Sequence, residues 1–160
     1  MKITLEQVKK LRAKTKVGIM DCRQALEECG GDFSKAEKWL KEKGFKAAKK
    51  REGRETSQGM IEVYSHGDGK IVGMVELLCE TDFVCRNKEF KKLAHELAMQ
   101  VLAMNPRDKK ELLKQPWIRD ESQTIGELLN GLIAKTGENV KIGRIARFEL
   151  GEEQKRKKAK

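Results

Sequence analysis

The run Glu76-Leu77-Leu78-Cys79-Glu80-Thr81-Asp82-Phe83-Val84-Cys85-Arg86-Asn87 decides how the rest of the chain is read. It opens as an extended segment, where Val72, Met74 and Glu76 alternate with Val75, Leu77 and Cys79 and most side chains are apolar. It closes on Asn87, an N-cap for a helix over 88–104. Thr81, Asp82 and Phe83 therefore stand at a corner between strand and helix. A large apolar ring is unusual there, because connecting segments lie at the surface and a polar residue is less costly to solvate. The ring either folds back as a plug for the core or is offered to a partner. Burial of a Phe side chain is worth about 1.5–3 kcal/mol in both cases, so composition does not choose between them.

Upstream of this corner, Met60-Ile61-Glu62-Val63-Tyr64-Ser65 and the segment 71–79 are two extended runs around His66-Gly67-Asp68-Gly69-Lys70, which predicts a β-hairpin. The glycines of this turn are no phosphate loop, since neither a Lys-Ser/Thr ending nor a helix follows. Downstream, Phe90, Leu93, Ala94, Leu97, Ala98, Val101 and Leu102 recur at three and four, and Asn105-Pro106 closes that helix. Its stripe should cover the hairpin, with His95 partly exposed between stripe residues. The polar segment 107–120 predicts a short helix and a turn around Pro116-Trp117. A further helix opens at Ser122 or Thr124 and carries Ile125, Leu128, Leu129, Leu132 and Ile133 on one side. Val140, Ile142, Ile145 and Phe148 then suggest a final strand, which needs the hairpin as its sheet.

Toward the N-terminus, Thr4 caps a first helix with Leu5, Val8 and Leu11 at helical spacing. A second begins near Met20 or Asp21, carries Cys22, Ala25, Leu26 and Cys29, and stops at Gly30-Gly31. A third, capped by Asp32 or Ser34, has the stripe Phe33, Ala36, Trp39 and Leu40 and ends at Gly44. The basic and polar stretch 46–58 reads as a linker. The expected fold class is α+β. A three-helix module (1–45) and the linker (46–58) precede an α+β core with a small antiparallel sheet packed with helices (59–150), and a charged, disordered tail (151–160) follows.

A chain of 160 residues buries roughly 70% of its unfolded surface, enough for one principal core and a small module. Aromatic residues make up only 5%, so the core must be mainly aliphatic. The formal net charge of +10 favours acidic partners or RNA. No run approaches the roughly 18 apolar residues of a membrane span and the N-terminus lacks the apolar stretch of a signal peptide, so the expected location is cytoplasmic. In that reducing compartment Cys22, Cys29, Cys79 and Cys85 should be thiols. With no Cys-x-x-Cys pair, neither metal nor cofactor is expected.

The stretch Cys79 to Val84 followed by Arg86-Asn87 resembles the signature of the elongation factor Ts family, nucleotide-exchange factors of the translational GTPase elongation factor Tu. Further likenesses lie at Gly18-Ile19-Met20-Asp21-Cys22-Arg23-Gln24-Ala25-Leu26 with Gly31-Asp32, at Lys46-Ala47-Ala48-Lys49-Lys50, and at Thr136-Gly137-Glu138-Asn139 with Lys141-Ile142 and Arg147-Phe148. They follow family order over nearly the whole chain. The resemblance implies that the N-terminal module is of ubiquitin-associated type and that Gly18, Ile19 and Met20 in its first loop contact the GTPase. It also implies that Thr81, Asp82, Phe83 and Val84 enter the GTPase domain, with Phe83 as a wedge, Mg²⁺ displaced and GDP released. Compared with longer members, this chain lacks a second core subdomain and an inserted coiled coil. Short members are implied to act as homodimers, which would also relieve the unpaired edges of a three-stranded sheet.

Two rival classes make different demands. A basic RNA-binding or ribosome-associated protein needs stacking aromatics on a sheet face, for which Tyr64 and Phe148 are poor evidence, and the lysines of 46–54 have no interleaved ring, so no specific nucleic acid is expected. A thiol enzyme needs Cys79 or Cys85 activated by a base, with His66 and His95 the only histidines.

Overall fold

The computed structural model describes residues 3–152. The N-terminal helices are α1 (Leu5–Thr15), α2 (Ile19–Glu28) and α3 (Phe33–Arg51). Thr4 and Gln7 form a capping box, in which the Gln7 N–H donates to Thr4 Oγ1 and the Thr4 N–H to Gln7 Oε1. Lys16 ends α1 in the left-handed region, and Gly30 and Gly31, both at positive φ, turn the chain from α2 into α3. Asp32, not Ser34, caps α3 by accepting from the Lys35 N–H. Val8, Leu11, Cys22, Ala25, Leu26, Ala36 and Leu40 make a small core shared by the three helices.

Gly44 does not end the third helix. α3 runs on to Arg51, so the stretch read as a linker over 46–58 is helical for its first half and already strand at Gln58. A single glycine inside a helix costs about 1 kcal/mol relative to alanine, and Ala47, Ala48 and the neighbouring lysines are good helix formers. Ala48 is buried in the second, larger core, so this part of α3 is held by tertiary packing.

That larger core is built on β1 (Gln58–His66), β2 (Ile71–Cys79) and β5 (Val140–Glu149), antiparallel in the order β1-β2-β5. The hairpin turns through Gly67, Asp68 and Gly69, all at positive φ. Between the strands run α4 (Asp82–Arg86), α5 (Lys88–Met104), α6 (Lys109–Lys114), the short pair β3 (Pro116–Trp117) and β4 (Asp120–Thr124), and α7 (Ile125–Thr136). Along β2 every second residue, Gly73, Val75, Leu77 and Cys79, is buried under α5, whose Phe90, Leu93, Ala94, Leu97, Ala98 and Val101 join Leu112 of α6 and Ile125, Leu129, Leu132 and Ile133 of α7 in the core. The predicted helix over 88–104 and the pairing of the final strand with the hairpin are both present, with Asn87 capping α5.

Two local features differ from the sequence expectation. The corner after β2 is itself a short helix, α4. The polar segment before α7 holds a small hairpin pinned from α5: buried Gln100 donates to Gln115 Oε1 and the Pro116 carbonyl and accepts from the Ile118 N–H, while Glu96 accepts from Trp117 Nε1 and Arg119 Nε. Thr124, not Ser122, caps α7 in a box with Glu127.

The sheet has one covered face and one open face. Val63 pairs with Met74 and Met74 with Ala146, while Val72 pairs with Phe148, so these side chains share the face away from α5. Ile61, Val63 and Phe148 are exposed there. Opposite Glu76 the register slips, so that Gly143 and Arg144 occupy the space of one residue on β5. A Cβ on Gly143 would strike the Glu76 side chain, and the glycine admits the carboxylate, which Arg144 grips with two nitrogens at 3.0 and 3.1 Å. No helix of the described residues is long and apolar enough to cross a membrane.

Candidate functional site

The corner that organises the sequence is held by side chains from three directions. Thr81 is the N-cap of α4, its hydroxyl oxygen accepting from the Val84 N–H at 3.4 Å. The same hydroxyl donates to Glu138 Oε1 at 2.6 Å, and the Thr81 N–H donates to Glu138 Oε2 at 3.1 Å. Glu138 belongs to the connection between α7 and β5, just after Gly137, whose φ of 74° caps α7. In return, Glu80 accepts from the Asn139 N–H. Asn139 is buried and directs its side-chain amide to the Glu52 and Arg54 carbonyls, which follow α3. Arg54 also pairs with Glu80 at 3.5 Å. The corner, the α7–β5 connection and the segment after α3 therefore meet in one network beneath α4.

The thiols on either side of the corner belong to the same framework. Cys79 Sγ–H donates to the Thr81 carbonyl at 3.2 Å and Cys85 Sγ–H to the Gly59 carbonyl at 3.1 Å. Burial, with Cys85 and Glu138 adding unfavourable charge nearby, pushes the Cys79 thiol up from 9.0 to about 11. At neutral pH it is a protonated hydrogen-bond donor, the opposite of an activated nucleophile. His95 stands against Glu62 at 3.0 Å and edge-on to Tyr64, and His66 is exposed at the hairpin turn. Among the described residues neither histidine bonds to a thiol, so the thiol-enzyme reading has no base to call on.

Above the network, Val84 points inward and Phe83 outward. Val84 is 9% exposed and joins the main core, whereas Phe83 is 81% exposed, the most of any large apolar residue in the described structure. The ring is not a core plug. Asp82 lies between, half-buried and paired with Arg86 one turn on at 3.0 Å. Thr81, Asp82, Phe83 and Val84 thus divide into two anchors, one ion-paired carboxylate and one presented ring.

At the N-terminal module, Gly18 is the N-cap of α2, and Ile19 and Met20 lie in its first turn rather than in the loop before it. Ile19 is 44% and Met20 73% exposed, so neither staples the module together. Sequence reasoning missed the anchoring roles of Glu80, Glu138 and Asn139. The usable signal was the Gly-Glu-Asn run after an amphipathic helix, which marks a capped helix end with polar groups ready to bond elsewhere.

The RNA reading loses its sheet platform. Tyr64 pairs across β1–β2 with Gly73, on the covered face beside His95, which leaves Phe148 as the single ring on the open face.

Comparison with known proteins gives a consistent picture. The family model described as "Elongation factor TS" matches residues 80–157. Over 93% of this chain and 98% of the relative, it is 43% identical to elongation factor Ts of Oleidesulfovibrio alaskensis. The protein of the same name from Nitratidesulfovibrio vulgaris is 43% identical over 96% of this chain and all of the relative, and that of Thermotoga petrophila 39% over 95% and 98%. The first alignment runs over 194 positions against the 160 residues here, so that relative carries residues with no counterpart in this chain.

Proposed function

Because the chain belongs to the elongation factor Ts family, we propose that it is a cytoplasmic guanine nucleotide exchange factor for elongation factor Tu that acts through Phe83. No covalent chemistry is required. A GTPase holds GDP through the N–H groups of a phosphate loop and through Mg²⁺ bridging phosphate oxygens. A protein that binds the nucleotide-free conformation better than the occupied one lowers nucleotide affinity, and by linkage nucleotide lowers its affinity in the same ratio. Incoming GTP can therefore expel the factor.

The carrying observation is the contrast between Phe83, almost wholly in solvent, and the bonded network that fixes the backbone beneath it. A ring on a rigid mount loses little freedom on docking, so more of its burial energy is available for opening the partner's site. That energy, about 1.5–3 kcal/mol, corresponds to roughly tenfold to a hundred-and-fifty-fold in an equilibrium constant. Phe83 therefore acts within a larger interface. In this reading Thr81, Asp82 and Val84 place the wedge, Mg²⁺ leaves the partner's site as it enters, and Gly18, Ile19 and Met20 give the module a second contact on the GTPase domain. The module has a core of its own, while α3 ties it to the sheet domain through Ala48. Stopped-flow release of fluorescent GDP from elongation factor Tu tests the wedge: Phe83→Ala should slow release sharply at equal folding stability, and unchanged release refutes it.

We further propose that two copies pair through the open sheet face. Its exposed Ile61, Val63 and Phe148, continuous with Val72, Met74 and Ala146, form the kind of apolar patch that proteins cover by association. The sequence pointed to the strand edges instead; the face adds exposed apolar side chains around the Glu76–Arg144 pair. Light scattering at micromolar concentration tests the pairing.

A further inference from the structure

Taking Phe83 as the group that promotes exchange, we propose that Glu138 is a positioning residue, whose carboxylate sets the direction of the Phe83 ring by clamping Thr81. The proposal rests on that reading of Phe83 and adds to it the part of the molecule that aims the ring.

α4 has only five residues, too few to hold its own conformation. Its first turn is capped by the Thr81 hydroxyl, which accepts from the Val84 N–H beside the backbone bond from the Cys85 N–H to the Thr81 carbonyl. A hydroxyl has one hydrogen and rotates freely unless that hydrogen is engaged. Here it is given to Glu138 Oε1 at 2.6 Å, in the range of a charge-assisted bond. With the hydrogen committed to the carboxylate, the oxygen lone pairs are left for Val84. The second carboxylate oxygen takes the Thr81 N–H, a donor that α4 itself cannot satisfy. One side chain thus sets both the backbone and the hydroxyl of the cap.

The ring is 81% exposed, so its direction is set through α4, whose far side is held by Val84 in the core and by Cys85 on the Gly59 carbonyl. The end of α4 that carries Phe83 is held at Thr81. Glu138 is well placed to transmit rigidity, because Asn139 beside it is buried, bonded through its amide to the Glu52 and Arg54 carbonyls and through its N–H to Glu80. Arg54, which pairs with Glu80, completes a brace from the end of α3 to the corner.

The test uses full-length Glu138→Ala, Glu138→Gln, Phe83→Ala and the Phe83→Ala/Glu138→Ala double variant. Fluorescent GDP release from the partner GTPase, followed against factor concentration, gives a plateau rate and a half-saturating concentration. Glu138→Ala should lower the plateau about tenfold, the size expected for losing a charge-assisted hydrogen bond to the cap, while the half-saturating concentration changes less. Glu138→Gln should fall between wild type and alanine, because its amide offers one acceptor atom where Thr81 needs two. It carries the same test should the alanine variant not fold. The double variant should be no slower than Phe83→Ala alone. A wild-type plateau for both Glu138 variants beside a slow Phe83→Ala overturns the clamp and leaves the wedge standing, and multiplicative slowing in the double variant also overturns it. Wild-type release by Phe83→Ala overturns the wedge and the clamp together.

Discussion

Phe83 and Val84 are consecutive residues of α4 whose side chains part company: Phe83 is 81% exposed, and Val84 is 9% exposed within the main core. Stability thereby falls to Val84, and the partner contact proposed above falls to its neighbour Phe83. Val84→Ala should destabilise the protein by about 1–2 kcal/mol through lost burial and a small cavity. Phe83→Ala should stay within about 0.5 kcal/mol of wild type, as is usual for surface changes. Urea midpoints of the two variants check this, and a larger loss for Phe83→Ala than for Val84→Ala contradicts the assignment.

The contact between β2 and α5 depends on Gly73. A Cβ there would lie 2.8 Å from both the amide nitrogen and the Cβ of Leu102 and would also meet the Ala98 carbonyl oxygen. Backbone atoms of a helix cannot swing aside, so Gly73→Ala must lift α5 from the sheet. The expected cost is about 1–3 kcal/mol, typical of overpacking. Thermal melting reads this directly, and a melting temperature equal to wild type would show that α5 has slack not evident in the packing.

The Cys79 thiol links stability to alkaline pH. Its folded-state pKa of about 11 lies above the ordinary 9.0, with burial the first cause and Cys85 and Glu138 the next. The folded state thus holds this proton more tightly than the unfolded state. Its contribution is complete below pH 9 and is lost as the pH rises through about 11. Cys79→Ala, compared with wild type in denaturant titrations across that window, should flatten the decline in stability. Wild-type Cys79 should also resist alkylation at pH 8 until the protein is unfolded. Rapid labelling of the native protein at that pH counts against the buried thiol.

The elements legible in the sequence are those whose signals are local. Thr4 and Asn87 cap the helices expected of them, as do Asp32 and Thr124, each one of two candidates read from the sequence. The period-two burial of β2 follows its apolar alternation. What could not be read depends on distant partners. α3 passes through Gly44 because Ala48 is buried in a core built largely from later elements. The β3–β4 hairpin forms in a polar segment because Gln100, about fifteen residues earlier, satisfies its backbone. The same division applies at the site: motif resemblance gave Thr81 to Val84 a role and marked Glu138 only as part of a likeness, because its bond to Thr81, 57 residues away, forms only when β5 returns beside β2. The disordered tail read over 151–160 lies outside the described residues from 153 onward.

The open face of the sheet gives the last prediction. Val63, Met74 and Ala146 run across its three strands, with Ile61 and Phe148 exposed beside them, while α5 covers the opposite face. In a single chain Val63 is half in solvent, so Val63→Asp should cost about 0.5 kcal/mol or less on folding. Between two paired sheets the same carboxylate would be buried without a partner, a penalty of several kcal/mol that the dimer could not absorb. Wild-type protein at micromolar concentration should therefore scatter light as two chains of 18.3 kDa each, and Val63→Asp as one, with far-UV circular dichroism unchanged. Wild-type protein of single-chain mass refutes the pairing. A Val63→Asp variant that remains dimeric moves the interface elsewhere, to the strand edges or the helical module.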